Sequence, residues 1–181
     1  VGPSVPTNAD KVIDATGLIV APGFIDPHTH SLANLQDPDR KLNANYLTQG
    51  VTTVFNGNDG GGPNNIRETL DDLEENGIGT NTALFVGQGT VRQSVMQMRD
   101  EAPSYGELEI MKSQVRIAMQ EGALGLSTGL YYAPGSYSST EEVVELAKEL
   151  TPFDGIYESH IRDESTYYLG FLGAVKEVID I

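Results

Sequence analysis

Five short apolar runs alternate with stretches whose apolar residues recur at helical spacing, and this alternation constrains the fold more than any other feature. The runs are Leu18–Pro27, Val51–Gly57, Asn81–Gly87, Ala123–Thr128 and Gly155–His160. Between them, Asp39–Gln49 carries Leu42 and Tyr46, and Asn64–Asn76 carries Ile66, Leu70 and Leu73 before Gly77 stops it. Ser104 with Glu107 predicts a capping box, opening a helix whose face is Leu108, Met111, Val115, Ala118 and Met119 and which Gly122 ends. Ser139 with Glu142 repeats that signature before Val143, Leu146 and Leu150, and Glu164–Ile181 reads as a last helical stretch. Strand, helix, strand, helix implies parallel pairing through helical crossovers. Strands that are apolar throughout imply a sheet covered on both faces.

Two α/β architectures satisfy this pattern, an open doubly wound sheet and a β/α barrel. Gly57-Asn58-Asp59-Gly60-Gly61-Gly62 is glycine-rich but lacks the helix-opening spacing and the later ribose-binding acid of a dinucleotide fingerprint. A full (β/α)8 barrel takes about 250 residues, against 181 here with five β/α units. The expectation is a partial TIM-like barrel over residues 21–181, preceded over residues 1–20 by the tail of a small β-sandwich domain. On that reading the chain is an internal piece of a longer protein.

The strand ends carry the chemistry. Leu18–Pro27 runs into His28-Thr29-His30, and residues i and i+2 of an extended chain share a face, so both imidazoles aim into one volume. Neutral imidazole is a good ligand for zinc and similar divalent ions. The chain has only three histidines, and the third, His160, ends the fifth apolar run. There is no cysteine, which excludes disulfides, thiolate metal sites and cysteine nucleophiles. A net charge of −15 disfavours nucleic acid, whose phosphates would be repelled. No apolar run approaches membrane-spanning length. The compartment stays open between cytoplasm and periplasm, and the oligomeric state is open as well.

Several motifs, in order, resemble the D-aminoacylase (N-acyl-D-amino-acid deacylase) branch of the amidohydrolase superfamily. They are Ile13-Asp14-Ala15-Thr16-Gly17 with Ala21-Pro22-Gly23-Phe24-Ile25-Asp26-Pro27-His28-Thr29-His30, then Gln49-Gly50-Val51-Thr52-Thr53-Val54 and Gly57-Asn58-Asp59-Gly60. Gly122-Ala123-Leu124-Gly125-Leu126-Ser127-Thr128-Gly129-Leu130-Tyr131-Tyr132, Ser139-Thr140-Glu141-Glu142 and His160-Ile161-Arg162-Asp163-Glu164 complete the set. The resemblance implies a metal-dependent hydrolase on a β/α barrel, holding one or two zinc ions and acting on a small N-acyl-D-amino acid or D-peptide. It assigns His28 and His30 to the first-strand ligand pair and His160 to the fifth-strand ligand. Asp59 stands where D-aminoacylases have a bridging cysteine, and the fourth strand has no lysine to carbamylate, which leaves Asp59 as the bridging candidate.

The resemblance further assigns Tyr132 to substrate contact. Arg162, Asp163 and Glu164 are expected to orient the site or cap the following helix, and Asp26 to be a supporting carboxylate rather than a ligand. Gln88 stands where relatives often have histidine, and its role is open. The sixth-strand histidine and the eighth-strand aspartate that serves as general base would lie beyond residue 181, so residues 1–181 alone are expected to be inactive. The rival readings are a D-amino-acid dipeptidase or other amide hydrolase, and a non-catalytic structural relative. Asp59 has its own bland alternative, since Asn-Asp-Gly is ordinary turn chemistry.

Overall fold

The computed structural model describes Asn8 and residues 10–181. Five strands form one sheet in chain order: β1 (Phe24–Asp26), β2 (Val51–Asn56), β3 (Asn81–Gly87), β4 (Gly125–Gly129) and β5 (Ile156–His160). Every pairing is parallel. The crossovers are helical: α1 (Leu32–Gln36) and α2 (Ala44–Leu47), then α3 (Ile66–Asn76), then α4 (Gln88–Met96) and α5 (Tyr105–Gln120), then α6 (Thr140–Ala147), with α7 (Phe171–Asp180) after β5. A doubly wound sheet reverses its strand order at a switch point. This sheet never reverses, so it is a half-barrel.

Alternation along the strands separates two faces. Leu84, Val86 and Leu126 pack into one buried cluster with Ile66, Val91, Met111, Val115, Ala118 and Leu146 from the helices. Leu35, Val54 and Leu73 form a smaller cluster under α1 and α3. The intervening positions point to the barrel interior. Phe55 and Phe85 meet there edge to face, with ring centroids 6.2 Å apart. On β4 the interior positions are Gly125, Ser127 and Gly129, and the register sets Ser127 beside Glu158 and Gly129 beside His160.

The predicted α5 has its capping box: the Ser104 N–H donates to Glu107 Oε2 at 2.8 Å, and the Glu107 N–H donates back to Ser104 Oγ at 3.3 Å. Its buried face is Met111, Val115, Ala118 and Met119. Ser139 caps α6 by accepting the Glu142 N–H. Gly77, at φ 70°, ends α3.

Five elements depart from expectation. β1 begins at Phe24, because β2 offers a ladder partner only from Val51 onward; Leu18, Ile19 and Val20 stay exposed and unpaired. Residues 11–23 contain no strand or helix, and the expected β-sandwich tail falls partly on residues 1–7 and 9, outside the described residues. The helix expected over Asp39–Gln49 shrinks to α2, preceded by Asn43 in the left-handed region, while α1 was not foreseen. The last helix starts at Phe171, because the Asp163 carboxylate collects the N–H groups of Ser165, Tyr168 and Gly170 and holds that stretch as a loop. The last departure is α4, which was not foreseen although Val91, Val95 and Met96 stand at helical spacing and pack on the core.

Candidate metal centre

The C-terminal strand ends bring four of the expected residues together. The chain stays extended past β1, and Thr29 turns inward to the protein. Its hydroxyl donates to the Phe55 carbonyl at 2.7 Å and its N–H to the same oxygen at 3.0 Å. That tether throws His28 and His30 to the opposite side, with ring centroids 5.4 Å apart. Asp26 accepts the His28 N–H at 3.2 Å, the supporting position expected of it.

Asp59 follows β2 in a tight loop, at φ 57°. Asp tolerates this left-handed conformation better than most residues. The loop reaches across β3 to the end of β4, where a Cβ on Gly129 would sit 2.2 Å from the Asp59 carbonyl oxygen. Only glycine permits that approach. The Gly60 N–H donates to Ser127 Oγ at 3.1 Å and fixes the crossing.

So held, Asp59 Oδ2 lies 3.2 Å from His30 Nε2 and 3.6 Å from His28 Nε2. Its other oxygen, Oδ1, lies 3.8 Å from His160 Nδ1 and is buried without a hydrogen-bond partner. One carboxylate thus stands between two histidine groups, one oxygen toward each. The ligand atoms of His28, His30 and Asp59 all fall within 4.8 Å of one another. Three imidazoles and a carboxylate are the donor types zinc takes, and a buried carboxylate oxygen with no donor of its own fits a cation. β4 contributes no lysine to the interior.

Tyr132 stacks obliquely beside His160, with centroids 4.7 Å apart, and Tyr131 lies at 5.8 Å. A cleft of about 160 Å3 next to Asp59 is lined by Thr90, Gln93, Tyr132 and Pro134 among others. Glu164 Oε1 approaches His160 Nε2 at 3.3 Å. Arg162 faces away from the histidines: its guanidinium grips Glu177 of α7 and donates to the Ser136 and Ser138 carbonyls, both at 2.9 Å. Asp163 closes the loop to α7, and the Tyr168, Ser165 and Gly170 N–H groups hold its carboxyl down to about 2. These two residues therefore shape the loops that flank the site. Gln88 is buried and donates to Ser138 Oγ at 2.7 Å.

Sequence reasoning missed Glu158. Its Oε1 lies 3.2 Å from His28 Nδ1, and its Oε2 accepts the Asp59 N–H at 3.4 Å. Burial pushes its carboxyl above the ordinary glutamate range, and the Asp59 charge adds to this, against the Asp59 N–H and the His28 and His160 rings. The signal was available: Glu158-Ser159-His160 repeats the i, i+2 logic that singled out His28 and His30.

The amidohydrolase family model matches residues 11–149. The chain belongs to the amidohydrolase family. It is 34% identical over 186 residues to a D-aminoacylase of Alcaligenes xylosoxydans xylosoxydans, which covers 88% of this chain and 37% of the relative. It is 34% identical to an N-acyl-D-aspartate deacylase of the same organism, covering 91% of this chain and 36% of that protein. Among solved structures, a D-aminoacylase superposes with a TM-score of 0.79 at 30% identity, covering 88% of this chain and 37% of the other. An N-acyl-D-glutamate deacylase from Bordetella bronchiseptica, complexed with zinc and a phosphonate inhibitor, superposes with a TM-score of 0.82 at 30% identity, covering 92% and 39%. Another D-aminoacylase structure is described as having a binuclear metal centre. The chain spans well under half the length of these relatives. The relatives are deacylases, hydrolases acting on amide bonds. Among the described residues, no helix is long and apolar enough to cross a membrane.

Proposed function

We propose that the whole protein is a metal-dependent deacylase that cleaves the amide bond of N-acyl-D-amino acids. The observation that carries this reading is the Asp59 carboxylate, set between the His28/His30 pair and His160 with a buried oxygen lacking any protein donor. The resemblance of the chain to D-aminoacylases supports the substrate class.

When bound, zinc or a similar divalent ion supplies Lewis acidity for water and for the scissile carbonyl. His28 and His30 offer their Nε2 atoms from one side, and His160 offers its ring from the other. Asp59 serves both sides with its two oxygens. The Thr29 tether and the Gly60–Ser127 hydrogen bond keep these donors in place before any ion arrives, which lowers the ordering cost of binding. Tyr132 lines the cleft beside His160 and contacts the substrate. The general base and the remaining ligand lie outside residues 1–181 on this reading.

The test is zinc content by elemental analysis together with hydrolysis of N-acetyl-D-amino acids by the whole protein. Asp59→Ala is expected to lower both the metal stoichiometry and the turnover. A variant that retains its full metal complement would reduce Asp59 to a turn residue.

A further inference from the structure

Glu158 is an inward-facing carboxylate with no lysine or arginine within ion-pair distance among the described residues; the side chain it meets is His28. Taking a carboxylate out of water is costly unless its oxygens find donors. Both do. Oε1 meets His28 Nδ1 at 3.2 Å, and Oε2 accepts the Asp59 N–H at 3.4 Å. The reach is possible because β4, which lies between, presents only Gly125, Ser127 and Gly129 to the interior. A longer side chain at Ser127, directly beside Glu158 in the register, would stand in the way.

We propose that Glu158 is the positioning residue of this centre, one carboxylate on β5 that orients a ligand from β1 and a ligand from the β2 loop. This rests on the metal-site reading above. A neutral imidazole carries its proton on one nitrogen, and the hydrogen bond made by that nitrogen decides which. Glu158 at Nδ1 holds the proton there and leaves the Nε2 lone pair facing Asp59 Oδ2, 3.6 Å away. A carboxylate behind a ligating histidine also raises its basicity toward the ion. The second oxygen acts on Asp59 through its backbone, holding the left-handed conformation that aims the side chain between the histidine groups. Glu158 itself is not a ligand: it sits on the far nitrogen of His28, behind the ring.

Glu158→Gln is the discriminating variant, because both of its partners are donors and an amide offers only one oxygen. In the whole protein, zinc affinity measured by chelator competition should fall about 10–100-fold. The visible spectrum of the cobalt-substituted protein should change, while the melting temperature of the metal-free protein stays close to that of the unmodified one. A variant that binds zinc as tightly, with the same cobalt spectrum, overturns the role. An unmodified protein that takes up no zinc overturns the metal-site reading, and this role falls with it. Should Glu158→Gln not fold, nitrogen NMR of the unmodified, metal-free protein decides the matter. His28 protonated at Nδ1 supports the proposal, and His28 protonated at Nε2 overturns it.

Discussion

Helices α4 and α5 lie in the same crossover between β3 and β4, yet they are held by different physics. α5 begins at a capping box and buries Met111, Val115, Ala118 and Met119. α4 begins directly at the end of β3, has no side-chain cap, and buries Gln88 and Arg92 beside Val91 and Met96. Arg92 is fully buried. It donates to both Glu142 oxygens, at 2.8 and 2.6 Å, and to the Arg99 and Glu101 carbonyls, at 3.2 and 2.8 Å. Apolar burial is non-directional, and its loss scales with the atoms removed. A buried charge network is directional, and its loss scales with what is left unpaired. The network of α4 ties that helix to α6 and to the segment leading into α5, close to the walls of the cleft beside Asp59.

The largest expected effect follows from that contrast. Arg92→Ala strands a buried carboxylate on Glu142 and removes the donor to two backbone carbonyls. It should cost about 3–5 kcal/mol in urea unfolding of the whole protein. On α5, Val115→Ala removes two methyl groups at about 0.8 kcal/mol each and leaves a small cavity, for a total of about 2 kcal/mol. If Val115→Ala proves the more damaging, the contrast between the two helices is broken.

The same contrast explains what could be read from the sequence. α5 was legible because its buried face is apolar at positions 111, 115, 118 and 119 and its start is a local signal, Ser104 with Glu107. α4 was harder to read because Gln88 and Arg92, one turn apart, share its buried face with Val91 and Met96, and no side-chain cap marks its start. The site divides in the same way. His28, His30, Asp59 and His160 stood out by residue type and motif. Glu158 did not, because an acid in a chain with 26 acidic residues stands out only when Glu158-Ser159-His160 is read by the same i, i+2 rule that singled out His28 and His30. At β1, an apolar run from Leu18 overstated the strand: apolarity is cheap to read, but a strand needs a ladder partner, and β2 supplies one only at Phe24–Asp26. At α7 the opposite held. Asp163, three acceptor bonds deep in its own loop, delayed a helix that periodicity allowed from Glu164.

The smallest expected effect sharpens the comparison from the α5 side. The Glu107 carboxyl is held at about 2, below its ordinary value of 4.5, by the Ser104 N–H first, then by the Ser104 hydroxyl and the Arg99 guanidinium. Arg99 lies just beyond α4, so this pair joins the exit of one helix to the entry of the next. A carboxyl with a depressed folded-state value stabilises the fold fully above its unfolded value, and that contribution is lost as pH falls toward the folded one. Glu107→Gln still offers one acceptor to the Ser104 N–H but carries no charge. The variant should therefore melt below the unmodified protein at pH 7, and the gap should narrow steadily as pH drops from about 4.5 toward 2. A gap in melting temperature that stays constant across that window would mean that the charge at Glu107 contributes nothing and the cap acts as a neutral hydrogen bond. Because the group is exposed and salt screens such pairs, the gap should also shrink in high salt at pH 7, whereas the Arg92→Ala deficit, deep in the core, should not.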